Sequence, residues 1–403
     1  MRKRLTKKET AKERSWKMKN IIGGPLYSNV VRVGLVTFCL GILILGWSLP
    51  AQAQGRVIPF DAPGAGTGAG QGTISYSIDV LGTIVGSFID ENGVSHGFLR
   101  RTGNNFTIID APGAGKIAGT GTTAVGLNVE GAVAGYYIDA ASVYHGFIRK
   151  ADGGFVTLDV PGACKLSVAE GCVGTSASNI NFLGKVLGSY SDDNFVAHGF
   201  LRSPDGSVID FEAPGALQTE PAPSSGLNQL GEVVGYYVDS NFLNHGFLRQ
   251  TNGTLVSFDA PGAGDAQFAG EGTIVTSVND FGVIAGEYLD ANQVFHGFVR
   301  SAAGTFVAFE APGAGTTKGS GNGTLPEHIN AVGTVTGYYR DAADVYHAFV
   351  RWPDGTITTI DAAGADSTTA FSGTLAAATN VEGVTAGYYI DGNGAYHGFI
   401  REP

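Results

Sequence analysis

The chain alternates short apolar stretches with turns that are rich in Gly, Asn and Asp. Residues 121–159 contain four such stretches, each rich in small, β-branched or aromatic residues: 121–128, 132–139, 143–149 and 155–159. Gly131 and Gly153 fall in the intervening turns, where glycine tolerates positive φ. The 3.6-residue spacing of an amphipathic helix is absent, so the pattern predicts four antiparallel β-strands.

This four-stranded pattern recurs along the chain and is marked by the phrase His-Gly-Phe-x-Arg. Its seven copies start at His96, His145, His198, His245, His296, His347 (here His-Ala-Phe) and His397. A repeat of this length is typical of solenoids and propellers, and four strands in about 50 residues make one propeller blade. We therefore predict an all-β, seven-bladed β-propeller, with a β-solenoid as the alternative.

The two ends of the repeat region complement each other. The last repeat stops at Pro403 without a fourth strand, whereas residues 56–66 provide an additional strand with its connector. Pairing them would complete the last blade and leave no open sheet edge. The first strand of each repeat is rich in Gly, Ala, Ser and Thr, so we place it around the central channel. Tyr136, Tyr137 and Phe147 are expected to pack between blades.

The N-terminal region differs in composition from the repeats. Residues 1–32 are basic, 33–49 are apolar, and Pro50-Ala51-Gln52-Ala53 has the small residues of a cleavage site. We predict a signal peptide over residues 1–53, cleaved after Ala53, and one propeller domain over residues 54–403. An uncleaved membrane anchor is the alternative, because about 17 apolar residues is the short limit for a spanning helix.

The net charge limits the classes of possible partners, and the cysteine content predicts a disulfide. The chain has a net charge of −11, and residues 1–53 carry ten Lys and Arg against two Glu, so the remainder carries −19. This argues against nucleic acid and anionic membranes as partners.

Cys164 and Cys172 are the two cysteines after the signal segment. In an exported protein they predict a disulfide, with two free thiols as the alternative.

A longer phrase, Asn-x-x-Gly-x-Val-x-Gly followed by His-[Gly/Ala]-Phe, resembles the bacterial HAF repeat. Its clearest copies are 330–337 with His347-Ala-Phe349, and 228–235 with His245-Gly-Phe247. The resemblance covers nearly all of residues 56–401 and implies an exported bacterial protein, secreted or periplasmic. Most copies have Gly where the family phrase has Ala. The family has no established catalytic residues, so the resemblance implies no chemistry.

Each repeated His lies six residues after an Asp and four residues before an Arg. The seven Asp residues are Asp90, Asp139, Asp192, Asp239, Asp290, Asp341 and Asp391. One interpretation is a ring of metal or acid–base sites made of Asp, His and Arg. We favour a structural role, in which Asp accepts backbone N–H groups in its turn, because a lone Asp–His spacing is not a metal signature.

Acidic residues also begin the connectors between repeats, as in Asp110-Ala-Pro-Gly-Ala-Gly115. In a propeller these connectors share a face with the Asp-bearing turns, so that face would carry about fourteen carboxylates. Ca²⁺ prefers oxygen ligands and is a candidate there, as is a basic partner. The calcium-loop phrases of known motifs are absent, so these seven Asp residues are only a candidate binding surface.

Several residues break the repeat. Glu327 and His328 occupy an innermost strand where other repeats have small residues. Glu287 and Arg340 each replace an aromatic or apolar residue in the second strand of their own repeats. Glu327 and His328 are candidates for the channel. Consecutive strand residues point to opposite faces, which argues against an acid–base pair. Residues 220–225 form an irregular connector in this interpretation.

These observations predict an exported binding module without certain cofactors. Its partner is a glycan, a cell-surface component, a cation or another protein, with no membrane span after cleavage. An exported polysaccharide hydrolase or lyase with its site at the channel mouth is the first alternative. A purely structural surface or matrix protein is the second. No Gly-x-Ser-x-Gly, His-Glu-x-x-His or Walker phrase is present, so we expect no catalytic residues.

Overall fold

A computed structural model of the protein describes residues 55–167, 172–223, 225–266 and 270–403. The predicted signal peptide and its cleavage site lie outside the described residues. Almost all regular structure is β-strand, with one short 3₁₀ helix at Thr102–Asn104. Among the described residues, no helix is long and apolar enough to cross a membrane.

The strands form four-stranded antiparallel units, called blades here, and the described residues contain seven of them. The innermost strands are β2 (Gly72–Ile78), β6 (Gly121–Leu127), β10 (Thr175–Ile180), β14 (Gln218–Pro221), β18 (Gly272–Val278), β22 (Gly323–Ile329) and β26 (Gly373–Thr379). The second strands are β3 (Ile84–Ile89), β7 (Val133–Ile138), β11 (Val186–Ser191), β15 (Val233–Val238), β19 (Ile284–Leu289), β23 (Val335–Arg340) and β27 (Thr385–Ile390).

The third strands begin with the repeated His and its preceding residue. They are β4 (Ser95–Arg101), β8 (Tyr144–Arg149), β12 (Ala197–Arg202), β16 (Asn244–Arg249), β20 (Phe295–Arg300), β24 (Tyr346–Arg351) and β28 (Tyr396–Glu402). The outermost strands are β1 (Arg56–Phe60), β5 (Asn105–Ile109), β9 (Phe155–Leu158), β13 (Val208–Phe211), β17 (Leu255–Phe258), β21 (Phe306–Phe309) and β25 (Ile357–Ile360). The segment predicted as an irregular connector at 220–225 is instead partly strand, because Glu220 and Pro221 belong to β14.

The ring closes by joining the first strand to the last. β1 pairs antiparallel with β28, with Arg56 opposite Glu402 and Phe60 opposite Gly398. The outermost strand of the last blade therefore comes from the start of the domain, as the sequence predicts. A parallel bridge from Tyr396 to Gly72 then connects the last blade to the first. The fold is a β-propeller without a free edge at the closure.

The hydrophobic core lies between successive blades. The Phe of each His-Gly-Phe phrase is at most 1 % exposed and packs against neighbouring strands. In one interface, Phe147 and Tyr137 of the second blade pack with Val85, Leu99 and Ile109 of the first. The prediction for Tyr137 and Phe147 is therefore right. Tyr136 is only partly buried and lies against the ring of Tyr144, at 5.1 Å between centroids.

Glycine is required where blades meet at the innermost strand. Gly121 has φ of +120°, and a Cβ at this position would lie 2.1 Å from the carbonyl oxygen of Ser95 in the preceding blade. The parallel bridge between Ser95 and Gly121 therefore excludes any side chain. The next residue, Thr122, accepts a hydrogen bond at its Oγ1 from the N–H of Ala111 and so fixes the connector.

Antiparallel order places the turns on two opposite faces. Turns between second and third strands share one face with the connectors, and we call this the acidic face. Turns between innermost and second strands lie on the other face. There each turn begins with Asn, or with Asp79 in the first blade, and we call it the belt face. These two faces hold the candidate sites.

Candidate functional site

The acidic face carries a His between two carboxylates in every blade. In the first blade, Nδ1 of His96 lies 2.8 Å from Oδ1 of Asp110, and Nε2 lies 3.7 Å from Oδ2 of Asp90. The imidazole stacks on Phe88, with 4.9 Å between ring centroids. The other sets are Asp139/His145/Asp159, Asp192/His198/Glu212, Asp239/His245/Asp259, Asp290/His296/Glu310, Asp341/His347/Asp361 and Asp391/His397/Asp61.

The seven predicted Asp residues cap their turns. Oδ1 of Asp192 accepts hydrogen bonds from the N–H groups of Asn194 (2.8 Å) and Val196 (2.9 Å). The bond from Val196 leads the interactions that lower the pKa of Asp192. The same pair of backbone bonds recurs at Asp90, Asp139, Asp239, Asp290, Asp341 and Asp391. The protein itself thus uses both oxygens of each carboxylate, Oδ1 in the turn and Oδ2 facing the His.

The structure separates the Arg of the phrase from the Asp and His. His96 and Arg100 lie near opposite ends of β4, and the guanidinium of Arg100 lies over the ring of Phe60 at 4.4 Å. Arg300 and Phe258 repeat this contact at 4.4 Å. The interpretation of Asp, His and Arg as one set is therefore wrong. The second partner of each His is the connector acid, and its 14-residue spacing in six of the seven sets was the available signal; His397 pairs with Asp61 across the closure of the ring.

No metal centre is evident among these groups. Across the described ranges, no three His, Cys, Asp or Glu side chains are arranged to hold a metal ion. Each His joins two carboxylates and keeps them apart, so the acidic face has the geometry of satisfied ion pairs. Its calcium site remains a prediction without geometric support.

The belt face has a chain of six side-chain hydrogen bonds that runs around the channel from Asn128 to Asp79. The side-chain amide of each belt Asn donates to the main-chain carbonyl of its counterpart in the next blade. The bonds run Asn128 to Asn181, Asn181 to Asn228, Asn228 to Asn279, Asn279 to Asn330, Asn330 to Asn380, and Asn380 to Asp79, over 2.7–3.4 Å. These residues and Asp79 are called the Asn belt below.

The Asn belt surrounds a cavity of about 390 Å³ at the channel mouth. Backbone and side chains of the belt line it, together with the residue that follows each belt position. Those residues are Val80, Val129, Phe182, Gln229, Asp280, Ala331 and Val381. Val80, Val129, Phe182 and Val381 are exposed at the rim. We call this space the mouth cavity; it combines apolar surface with amide and carbonyl groups.

His328 is the predicted channel residue that reaches the mouth cavity. Its Nδ1 accepts a hydrogen bond from the N–H of Thr379 in the next blade at 3.4 Å. Burial lowers the pKa of His328 to about 4, so the imidazole is neutral near pH 7. The side chain thus offers a neutral ring and polar edge to a bound molecule.

Glu327 is partly exposed and occupies a β-bulge of β22. Pro326 pairs with Gly337 and His328 pairs with Thr336, so Glu327 is the additional residue between them. The bulge interrupts the alternation on which the sequence argument relied. Burial raises the pKa of Glu327 to about 7. No hydrogen bond joins Glu327 to His328 in the part of the chain that the structure describes.

Glu287 extends the site to the fifth blade. It lies on β19, is 8 % exposed, and its buried Oε2 has no hydrogen-bond partner among the described residues. Burial raises the pKa of Glu287, and the negative charge of Glu327 raises it further. The sequence noted Glu287 as a break in symmetry. Its relationship to Glu327 was not apparent, because the two residues lie 40 positions apart.

The disulfide prediction is confirmed. Cys164 and Cys172 are bonded, with 6.2 Å between their Cα atoms. Both residues are almost fully buried, at 2 % and 0 % exposure. The bond closes the enlarged connector that leads into the third blade.

No protein-family model matches the chain, and no curated protein matches it. Among solved structures, the BP39L lectin from Burkholderia pseudomallei is 11 % identical with a TM-score of 0.47, over 82 % of this chain and 98 % of the lectin. A prolyl endopeptidase is 12 % identical with a TM-score of 0.50; the match covers 85 % of this chain and half of the endopeptidase. The Aleuria aurantia lectin in complex with α-methyl-L-fucoside is 11 % identical with a TM-score of 0.36, over 76 % and 94 % of the chains. At such identities a match shows the fold alone.

Proposed function

We propose that the protein is an exported binding module that holds a neutral, hydroxyl-rich ligand, a glycan, in the mouth cavity. The observation that carries this proposal is the cavity itself, about 390 Å³ within the Asn belt, with non-repeated side chains such as His328 and Phe182 in its wall. A concave site with apolar walls and a few polar groups is the usual form of a small-molecule site. Export rests on the sequence of residues 1–53.

The cavity's chemistry supports a neutral ligand. Its described lining contains Asp79 and Asp280 but neither Lys nor Arg, so a phosphate or carboxylate ligand would lack a counter-charge. Phe182 and the rim valines offer apolar surface to the C–H faces of a sugar ring. Belt carbonyls, His328 and Gln229 offer hydrogen bonds to hydroxyl groups.

The same groups give less support to a hydrolase or lyase. Oδ1 of Asp79 accepts the N–H groups of Leu81 and Thr83, both at 2.8 Å. Oδ1 of Asp280 accepts the N–H of Gln229 at 2.9 Å. These carboxylates hold the belt turns together, which leaves the described lining of the mouth cavity without an evident general acid. Binding is therefore the better-supported function.

A glycan array that includes α-methyl-L-fucoside tests the proposal, followed by calorimetric titration of the glycans that bind. We expect Phe182→Ala to weaken binding about tenfold, which corresponds to about 1.4 kcal/mol. The backbone bond from Phe182 N–H to Gln229 remains possible in this variant. The matched control is Phe195→Ala, because Phe195 is similarly exposed but follows Asp192 on the acidic face. Absence of any bound glycan, or equal losses in the two variants, would overturn the proposal.

A further inference from the structure

Two non-repeated carboxylates, Glu287 and Glu327, lie on neighbouring blades and outside the mouth cavity's lining. Glu287 is on β19 of the fifth blade, where Ala285 packs with Ile329, Val335 and Phe349 of the sixth. Because residues two apart on a strand share a face, Glu287 also faces the sixth blade. Glu327 is the bulge residue on the innermost strand of that blade. The blade interface therefore brings the two side chains toward each other.

No protein cation balances this pair. In the described ranges, neither Glu287 nor Glu327 forms an ion pair with Lys, Arg or His. Glu287 is more than nine-tenths buried, and its Oε2 lacks a hydrogen-bond partner within the described part of the chain. A buried carboxylate is costly without a counter-charge or hydrogen bonds. When Glu287 is ionised, a cation would satisfy this unpaired acceptor.

The surrounding groups are oxygen-rich. Tyr236 interacts electrostatically with Glu287, and Tyr388 interacts with Glu327. Tyr338 interacts with both carboxylates. Glu220 acts on Tyr236 from the fourth blade. His328 accepts a hydrogen bond from the N–H of Thr379 in the seventh blade. Carboxylates and hydroxyls without thiols are the donor set of Ca²⁺ rather than of zinc or copper.

We propose that Glu287 and Glu327 bind a calcium ion inside the channel. The site differs from the acidic face, where each Asp already binds two backbone N–H groups and pairs with a His. Two carboxylates, with waters completing the coordination, match the weak sites of extracellular modules, which have dissociation constants of about 10⁻⁴–10⁻³ M. The site is independent of the glycan proposal, and no glycan is needed to test it.

Terbium luminescence tests this site, because Tb³⁺ replaces Ca²⁺ and emits when a nearby tyrosine absorbs light. The purified full chain is stripped with EDTA, dialysed and titrated with TbCl₃ at pH 8 while tyrosine is excited. We expect saturable emission that CaCl₂ reverses, because Tyr236 and Tyr338 interact electrostatically with the proposed ligands. Direct calorimetric titration with CaCl₂ should give one site per chain.

Three variants locate the ion. Glu287→Gln and Glu327→Gln keep the side-chain size and should each weaken Tb³⁺ and Ca²⁺ binding at least tenfold. Asp290→Asn is the matched control, since Asp290 lies in the same blade as Glu287 but in a turn of the acidic face. Circular dichroism verifies that each variant is folded. Absence of calcium-reversible emission from the wild-type protein would overturn the proposal, and so would unchanged binding in both Gln variants. Loss of binding only in Asp290→Asn would place the cation on the acidic face instead.

Discussion

The side-chain amide of Asn128 donates a hydrogen bond to the main-chain carbonyl of Asn181, 53 residues later and in the next blade. Oδ1 of the same Asn128 accepts the N–H of Ala132 and so closes its own turn. One amide thus fixes a turn by accepting and joins two blades by donating to a carbonyl, and a carboxylate lacks the donor for this second bond. This double role explains why Asn recurs as the first residue of the Asn-x-x-Gly phrase in the repeat.

Asp79 is the one belt position that cannot donate, and replacing it with Asn should stabilise the propeller. In Asp79→Asn, Oδ1 can still accept the N–H groups of Leu81 and Thr83. The new amide would be able to reach the carbonyl of Asn128 and complete the belt. We expect a gain of about 0.5–1.5 kcal/mol in the free energy of unfolding, measured by urea denaturation. A loss of stability would show that the ring does not admit this seventh bond.

Closure of the ring should depend on Phe60 of β1. Its ring lies 6.3 Å from that of Phe98 and 6.0 Å from that of Phe106, and Arg100 lies over it. Phe60→Ala should lower the free energy of unfolding by about 3–5 kcal/mol, as measured by urea denaturation. Phe281→Ala is the control and should be nearly neutral, because Phe281 is 70 % exposed. Equal effects of the two substitutions would contradict the closure described here.

His347 should make stability fall as pH rises through neutrality. Its hydrogen bond with Asp361 raises the pKa of His347 above 6.5, so the folded state binds this proton more tightly than the unfolded state. The stabilisation that protonated His347 provides is complete below pH 6.5, and it is lost as pH rises through the pKa of His347 in the folded state. The free energy of unfolding should therefore fall less between pH 5.5 and 8.5 in His347→Gln than in the wild-type protein.

His328 provides a control of opposite sign for that measurement. Its pKa is lowered to about 4 by burial, so the unfolded state binds its proton more tightly and stability from this residue rises up to about pH 6.5. His328→Gln removes this rise, so the free energy of unfolding should fall more steeply between pH 5.5 and 8.5 in this variant than in the wild-type protein. The same response from both variants would contradict the assigned environments.

Reduction of the Cys164–Cys172 disulfide should cost about 2–3 kcal/mol, since the bond closes a short loop. Urea denaturation with and without dithiothreitol measures this difference. The double variant Cys164→Ala/Cys172→Ala should not respond to dithiothreitol. A wild-type protein that is equally insensitive would show that the bond contributes nothing to stability.

Local rules were enough to predict much of this fold. The period of the His-Gly-Phe phrase and the alternation of apolar stretches predicted the four-stranded units, and the incomplete ends predicted that β1 completes the last blade. Turn chemistry predicted that Asp192 and its counterparts bind backbone N–H groups. These features depend on residues close in sequence, or on an extra strand at one end matching a missing strand at the other.

The candidate sites depend on relationships that sequence spacing does not show. His96 and Arg100 are four residues apart, yet a strand separates them by about 13 Å. The bulge at Glu327 is a departure from strand regularity that its own residue type does not indicate. The electrostatic effect of Glu327 on Glu287 and the hydrogen bond from Asn128 to Asn181 follow from how neighbouring blades pack. Each becomes visible only in the closed ring.

A crystal structure of the protein with a glycan selected on the array is the most direct test of the proposed function. We predict that the sugar lies in the mouth cavity, with one face against Phe182 and hydroxyl groups within hydrogen-bond distance of His328 or the belt carbonyls. A glycan bound at the acidic face or at the outer edge of a blade, with the mouth cavity holding only water, would contradict it.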